Sequence, residues 1–210
     1  MSAHCCPTPP AGSGYRKVLW VALVVNAAMF FVEIAASAVS GSASLAADAV
    51  DFAGDAGNYA LSLAALAAGG LWISRAALAK GLAMAAYGAG VVAFAGWRLW
   101  LGAPPEPITM GVVGAIALAA NLGVAWLLYA YRNGDANMRA VWLCTRNDVL
   151  GNLTVLAAAA GVFGSGSVWP DVAVAAIMAG LALRSAAEVI RSARAELVPS
   201  SPATTLQSPP

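Results

Sequence analysis

Charge is what this chain has least of. Only 10% of its 210 residues are Asp, Glu, Lys or Arg, where a soluble domain carries about 25%. With 60% apolar residues and a mean hydropathy of +0.75, the composition excludes a disordered, collagen-like or ordinary water-soluble chain. Cysteine is scarce: Cys5 and Cys6 are adjacent and Cys144 lies far away, so there is no disulfide framework. His4 is the sole histidine, and the formal net charge of +1 gives no reason to expect a nucleic-acid partner. No basic segment precedes an apolar one within residues 1–14, so a cleaved signal peptide is not expected. Proline is missing from the long apolar runs; apart from Pro170, every proline lies in residues 7–10, 104–107 or 199–210.

What remains is a series of apolar stretches at about 17–40, 44–73, 79–102, 108–131, 139–163 and 169–190. Each has about the 20 residues that a helix needs to cross a bilayer. Breakers separate them: Ser40-Gly41-Ser42, the vicinity of Ser74-Arg75, the segment from Gly102 to Pro107, Arg132-Asn133-Gly134-Asp135, and the segment from Gly164 to Ser167. Pro170 sits where a sixth helix would begin, in the tolerated first turn. The expected fold is all-α, a polytopic membrane protein of six transmembrane helices over residues 16–195. A flexible tail is expected over 1–15 and a disordered, Ser-, Thr- and Pro-containing tail over 196–210.

The few basic residues are asymmetric. Arg16 and Lys17 precede the first span, Arg75 and Lys80 lie between the second and third, and Arg132 and Arg139 between the fourth and fifth. Arg184, Arg191 and Arg194 follow at the end of the sixth. In a six-span chain all of these fall on one side, which predicts cytoplasmic termini. Trp20, Trp72, Trp97, Trp100, Trp142 and Trp169 fall near span ends, as an interfacial belt requires, with Trp126 somewhat deeper.

Charges inside the spans stand out, because each costs about 2.5–3.5 kcal/mol at mid-bilayer on insertion scales. The second span carries Asp48, Asp51 and Asp55, the first Asn26 and Glu33, and the fifth Cys144, Arg146, Asn147, Asp148 and Asn152. Asp51 and Asp55 are four apart, as are Cys144 and Asp148, so each pair shares a helix face. Three carboxylates and a thiolate from two helices suit tetrahedral Zn²⁺ or the softer Cd²⁺. They suit Mg²⁺ or Ca²⁺ poorly. Fully ionised, the four groups carry −4, so metal and protons compete for the same atoms. Asp48 shares the face of Asp51 or hydrogen-bonds near the start of its helix. Asn26 and Glu33, seven apart, read as a helix-packing or proton-linked pair.

The stretch from Asn26 to Asp55 resembles the first two helices of the cation diffusion facilitator family. It has an Asn, a Glu seven later, the loop Ser40-Gly41-Ser42, the segment Ala46-Ala47-Asp48-Ala49 and the pair Asp51-x-x-x-Asp55. Cys144-x-x-x-Asp148 stands where the family carries its second pair. The resemblance covers about residues 16–195. It implies efflux of a divalent transition metal driven by proton exchange, with alternating access around a site on helices 2 and 5. Carried over position by position, Asp51, Asp55, Cys144 and Asp148 are the ligands.

Three departures matter. Cys144 replaces the usual His, which favours Zn²⁺ and Cd²⁺, with Co²⁺ or Fe²⁺ behind them and Mn²⁺ disfavoured. Arg146 lies inside the second motif and should point away, toward Asp48 or a lipid headgroup. Typical members continue past the sixth span into a cytoplasmic domain that supports dimerisation, whereas this sequence ends at Pro210, so a homodimer is an open expectation. His4, Cys5 and Cys6 form a candidate auxiliary metal site on the N-terminal tail.

The expected location is a cell membrane of bacterial inner-membrane type, with the lipid bilayer, protons and metal ions as partners. The alternatives are a membrane subunit that binds or senses metal without transport, and, remotely, an intramembrane aspartyl protease. The protease reading lacks its sequence contexts, since Asp55 follows Phe52-Ala53-Gly54 and neither Asp51 nor Asp148 follows a Tyr. The chain is therefore not expected to be an enzyme.

Overall fold

The computed structural model describes residues 13–67, 71–133 and 136–197. His4, Cys5 and Cys6 lie outside these. Six helices follow one another: α1 (Ser13–Ser40), α2 (Ala43–Ala67), α3 (Leu71–Leu101), α4 (Pro107–Tyr129), α5 (Ala136–Ser165) and α6 (Trp169–Leu197). Five of them, all but α2, are long and apolar enough to cross a membrane. Helix α2 falls short in apolarity rather than length, because Asp48, Asp51, Asp55 and Asn58 lie along it.

One expected boundary is corrected. Ser74 and Arg75 lie inside α3, which already begins at Leu71. Neither residue breaks a helix, and Arg is a good helix former. Helix α2 ends at Ala67.

The helices alternate in direction, and their packing shows which ends meet. Tyr15 and Leu19 of α1, Tyr59 and Leu63 of α2, Val124 and Leu128 of α4 and Val141 of α5 form one apolar cluster. Tyr15 also meets Tyr131 at 5.0 Å between ring centres. Ala43 of α2, Ala95 of α3, and Val168, Val172 and Ala175 at the start of α6 cluster at the opposite end. The first end carries Arg16, Lys17, Arg132 and Arg139 and is the basic end of the bundle.

The bundle is polar within and apolar without. Asn26, Glu33 and Asp48 are fully buried, whereas Phe31 is 66% and Trp126 77% exposed. A water-soluble fold reverses that arrangement. In hydrocarbon it is the expected one, since polar side chains turn to the bundle interior.

At the end opposite the basic one, the turn from α1 to α2 is tightly held. Gly41 has φ +72°, a left-handed conformation that glycine adopts without strain. Its amide donates to Ser37 O at 2.8 Å. The Arg98 guanidinium lies where a side chain on Gly41 would go, with Cζ 2.6 Å from an ideal Cβ. Asp171, at the start of α6, caps α2 from outside its own helix. It accepts from Ser42 Oγ at 2.7 Å, Ala43 N at 2.8 Å and Ser44 N at 2.9 Å. This satisfies donors that a helix N-terminus otherwise leaves unpaired.

Candidate functional site

Helices α2 and α5 run antiparallel, and three polar pairings in register join them. Nearest the basic end, the Tyr59 hydroxyl bonds Thr145 Oγ1 at 2.6 Å. Thr145 spends its own proton on Val141 O at 3.1 Å, so Tyr59 is the donor. One turn along, the carboxyls of Asp55 and Asp148 lie next to each other. At the far side, Asn152 Nδ2 donates to both Asp48 oxygens, each at 2.8 Å. The acidic pair is thus bracketed between two cross-links, one on each side.

A cavity of about 380 Å³ opens around this pair. Asp51 and Asp55 line it from α2, Cys144 and Asp148 from α5, Lys80 and Met84 from α3, and Ser185 and Glu188 from α6. Asp55 and Asp148 are 7% and 9% exposed, Asp51 is half-buried and Cys144 is exposed. All four residues expected as ligands therefore face one space. They do not close on one point: among the described residues, no three His, Cys, Asp or Glu side chains gather as a metal-holding group. A second opening of about 300 Å³ adjoins the cavity, lined by Leu61, Ala77 and Ser192, with Asn58, Lys80, Glu188 and Val189 common to both.

The other expected residues form a separate buried network. Asn121 of α4 donates to Asn152 Oδ1 at 3.0 Å, which links four helices through Asp48 to Glu33. Among the described residues, no N–H or hydroxyl reaches either Glu33 oxygen, and the Asp48 carboxyl lies beside it. Two carboxyls can bond only through a shared proton. Asn26 does not join Glu33; it turns back to its own helix and donates to Ala22 O at 2.8 Å. Nor does Arg146 pair with Asp48. It lies exposed, 5.5 Å from the Trp142 ring centre and 3.5 Å from Asn147 Oδ1. Two residues from both Cys144 and Asp148, it points off their face.

Sequence reasoning missed Lys80, Met84, Ser185 and Glu188 as cavity residues, and Asn121 as a network member. Their helical spacings, four on α3 and three on α6, were visible. Which face met α2 and α5 was not.

Two comparisons bear on this arrangement. Residues 72–198 match the cation efflux transmembrane domain. The chain belongs to that family. This cation efflux protein is accordingly an integral membrane protein, and the match takes in Cys144 and Asp148. A protein of Bacillus velezensis named "Cadmium, cobalt and zinc/H(+)-K(+) antiporter" is 35% identical over 94 residues, 42% of this chain. The match spans 29% of that relative's length.

Proposed function

We propose that this cation efflux protein exports a divalent transition metal, Zn²⁺ or Cd²⁺ foremost, in exchange for protons. Asp51, Asp55, Cys144 and Asp148 are the ligands, and access alternates as α2 and α5 rearrange around them. The observation that carries this is the Asp55–Asp148 pair, which joins two helices inside a cavity that Asp51 and Cys144 also line.

Three carboxylates and a thiolate are a hard–soft donor set that suits Zn²⁺ and Cd²⁺ better than Mg²⁺. Met84 adds a thioether to the wall. Four anionic groups in a low-dielectric space attract either a metal ion or protons, so loading one expels the other. The name of the Bacillus relative supports both halves of the exchange. The basic end is the cytoplasmic side by the distribution of Lys and Arg. Both termini and the second opening then face the cytoplasm, in the membrane of a bacterial cell.

The test is uptake of Zn²⁺, Cd²⁺ and Mn²⁺ into proteoliposomes under a pH gradient. Wild type should move Zn²⁺ or Cd²⁺, and Asp55→Ala should abolish the flux. Cys144→His should lower the Cd²⁺/Zn²⁺ ratio. Flux that ignores the pH gradient would sink proton exchange. Metal binding without flux would favour the non-transporting metal-binding subunit.

A further inference from the structure

Lys80 is the one Lys or Arg among the residues lining the cavity of the proposed ligands, and its placement is built rather than incidental. Its side chain lines both the acidic cavity and the opening toward the basic end. Its stem lies along α2 at Gly57. A Cβ on Gly57 would stand 3.0 Å from Lys80 Cδ, 3.1 Å from Cε and 3.2 Å from Cγ. Glycine at this position therefore provides the bed on which the stem rests. At its tip the ammonium donates to Asn58 Oδ1, and Asn58 stands one turn from Asp55 on the same helix. The charges acting on the ammonium are those of Asp55, Cys144 and Asp51.

Among the described residues, no carboxylate lies within ion-pair distance of Lys80; the recorded ion pair is Arg184–Glu188 at 3.3 Å. The ammonium is thus held over the acids by an amide, without being locked to any one of them. A lysine serving only as an interfacial anchor would extend its stem toward headgroups. Here it lies inward, across a glycine.

Building on the ligand assignment above, we infer that Lys80 is a tethered counter-cation at the cytoplasmic mouth of the site, which an incoming divalent metal ion must displace. With no metal bound, the ammonium offsets part of the charge of Asp51, Asp55, Cys144 and Asp148. As the metal arrives, the ammonium swings off Asn58 toward Glu188, which lines the same two spaces. The lysine thereby weakens resting affinity and speeds release, because its return competes with the bound ion.

The experiment is equilibrium titration of Cd²⁺ into the full chain in lipid nanodiscs at fixed pH and low ionic strength. Lys80→Met should bind at least about tenfold tighter, since it removes a unit charge beside a divalent ion in a low-dielectric site. Lys80→Arg should stay near wild type. Gly57→Ala keeps every charge but denies the stem its bed, so it should tighten binding by about threefold or more. Asp55→Ala should lose binding alone and in combination with Lys80→Met. Unchanged or weaker binding in Lys80→Met, while Asp55→Ala still abolishes it, overturns the lysine's role and leaves the ligand assignment standing. Binding that survives Asp55→Ala overturns both. Wild-type affinity in Gly57→Ala would also count against the proposal.

Discussion

Asn152 of α5 donates to both carboxylate oxygens of Asp48 on α2, at 2.8 Å each. Asp48 precedes Asp51 by three residues and Asn152 follows Asp148 by four, so this clamp lies one turn beyond the proposed ligands. With Tyr59–Thr145 on the other side, it sets the register in which the Asp55–Asp148 pair meets. An alternating-access rearrangement of α2 against α5 has to break, or pivot about, one of these two links.

Asn152→Ala should therefore destabilise the protein. It strips a fully buried acid of its amide partner and also leaves Asn121 without an acceptor. The expected cost is about 1–3 kcal/mol, read as a lower midpoint in thermal unfolding in detergent. Tyr59→Phe should cost less, about 1 kcal/mol, because Thr145 keeps its bond to Val141.

Asp171 holds the start of α2 through three donors and is fully buried. Asp171→Ala should cost about 2 kcal/mol, the upper range for loss of a helix cap. Hydrogen exchange should localise the damage, with faster exchange at the amides of Ala43 and Ser44 and little change at the basic end.

Helices α5 and α6 come close where Gly161 faces Pro170, whose Cβ would lie 2.9 Å from a Cβ on residue 161. The proline ring cannot move aside as a flexible chain would. Gly161→Ala should cost about 1–3 kcal/mol by overpacking. Gly164→Ala is the control: nothing lies within 4 Å of its Cβ position, so removing a helical glycine there should stabilise by up to about 1 kcal/mol.

Glu106 caps α4 outside the spans, accepting from Ile108 N at 2.9 Å and Thr109 N at 2.6 Å. Hydrogen bonds from Thr109, first its side chain and then its backbone, with a further one from Ile108 N, hold the carboxyl below its ordinary value of 4.5. A depressed value in the folded state means stability that is present above pH 4.5 and lost as pH falls through the lower folded value. The melting-temperature gap between wild type and Glu106→Gln should be full at neutral pH and close below pH 4.5. A constant gap would show that the cap carries no proton linkage.

Much of this was legible in the residues themselves. Six apolar runs, proline confined to their margins and one-sided Lys and Arg predict the helices to within a few residues at most ends. The exceptions are the end of α6, which runs to Leu197, and the boundary of α2 and α3, where Ser74 and Arg75 looked like a loop because polarity, rather than helix-breaking power, was read as the signal. The acids in the second and fifth runs marked the site because a charge in hydrocarbon demands a reason. Spacing of four already put Asp51 with Asp55 and Cys144 with Asp148.

Partnership across helices was not legible. That Asp48 meets Asn152 and not Arg146, that Asp171 caps a helix more than a hundred residues away, and that Lys80 lines the acidic cavity all depend on how helix faces pack. The physical reason is one of range. Hydropathy and spacing act along a single helix and are written in consecutive residues, so the apolar segments and their polar faces can be read from the residues alone. Contacts between helices depend on rotation and approach, set by small-residue contacts such as Gly57 against Lys80 and Gly161 against Pro170. Those contacts, and with them the polar groups that share a cavity, emerge from the packed fold.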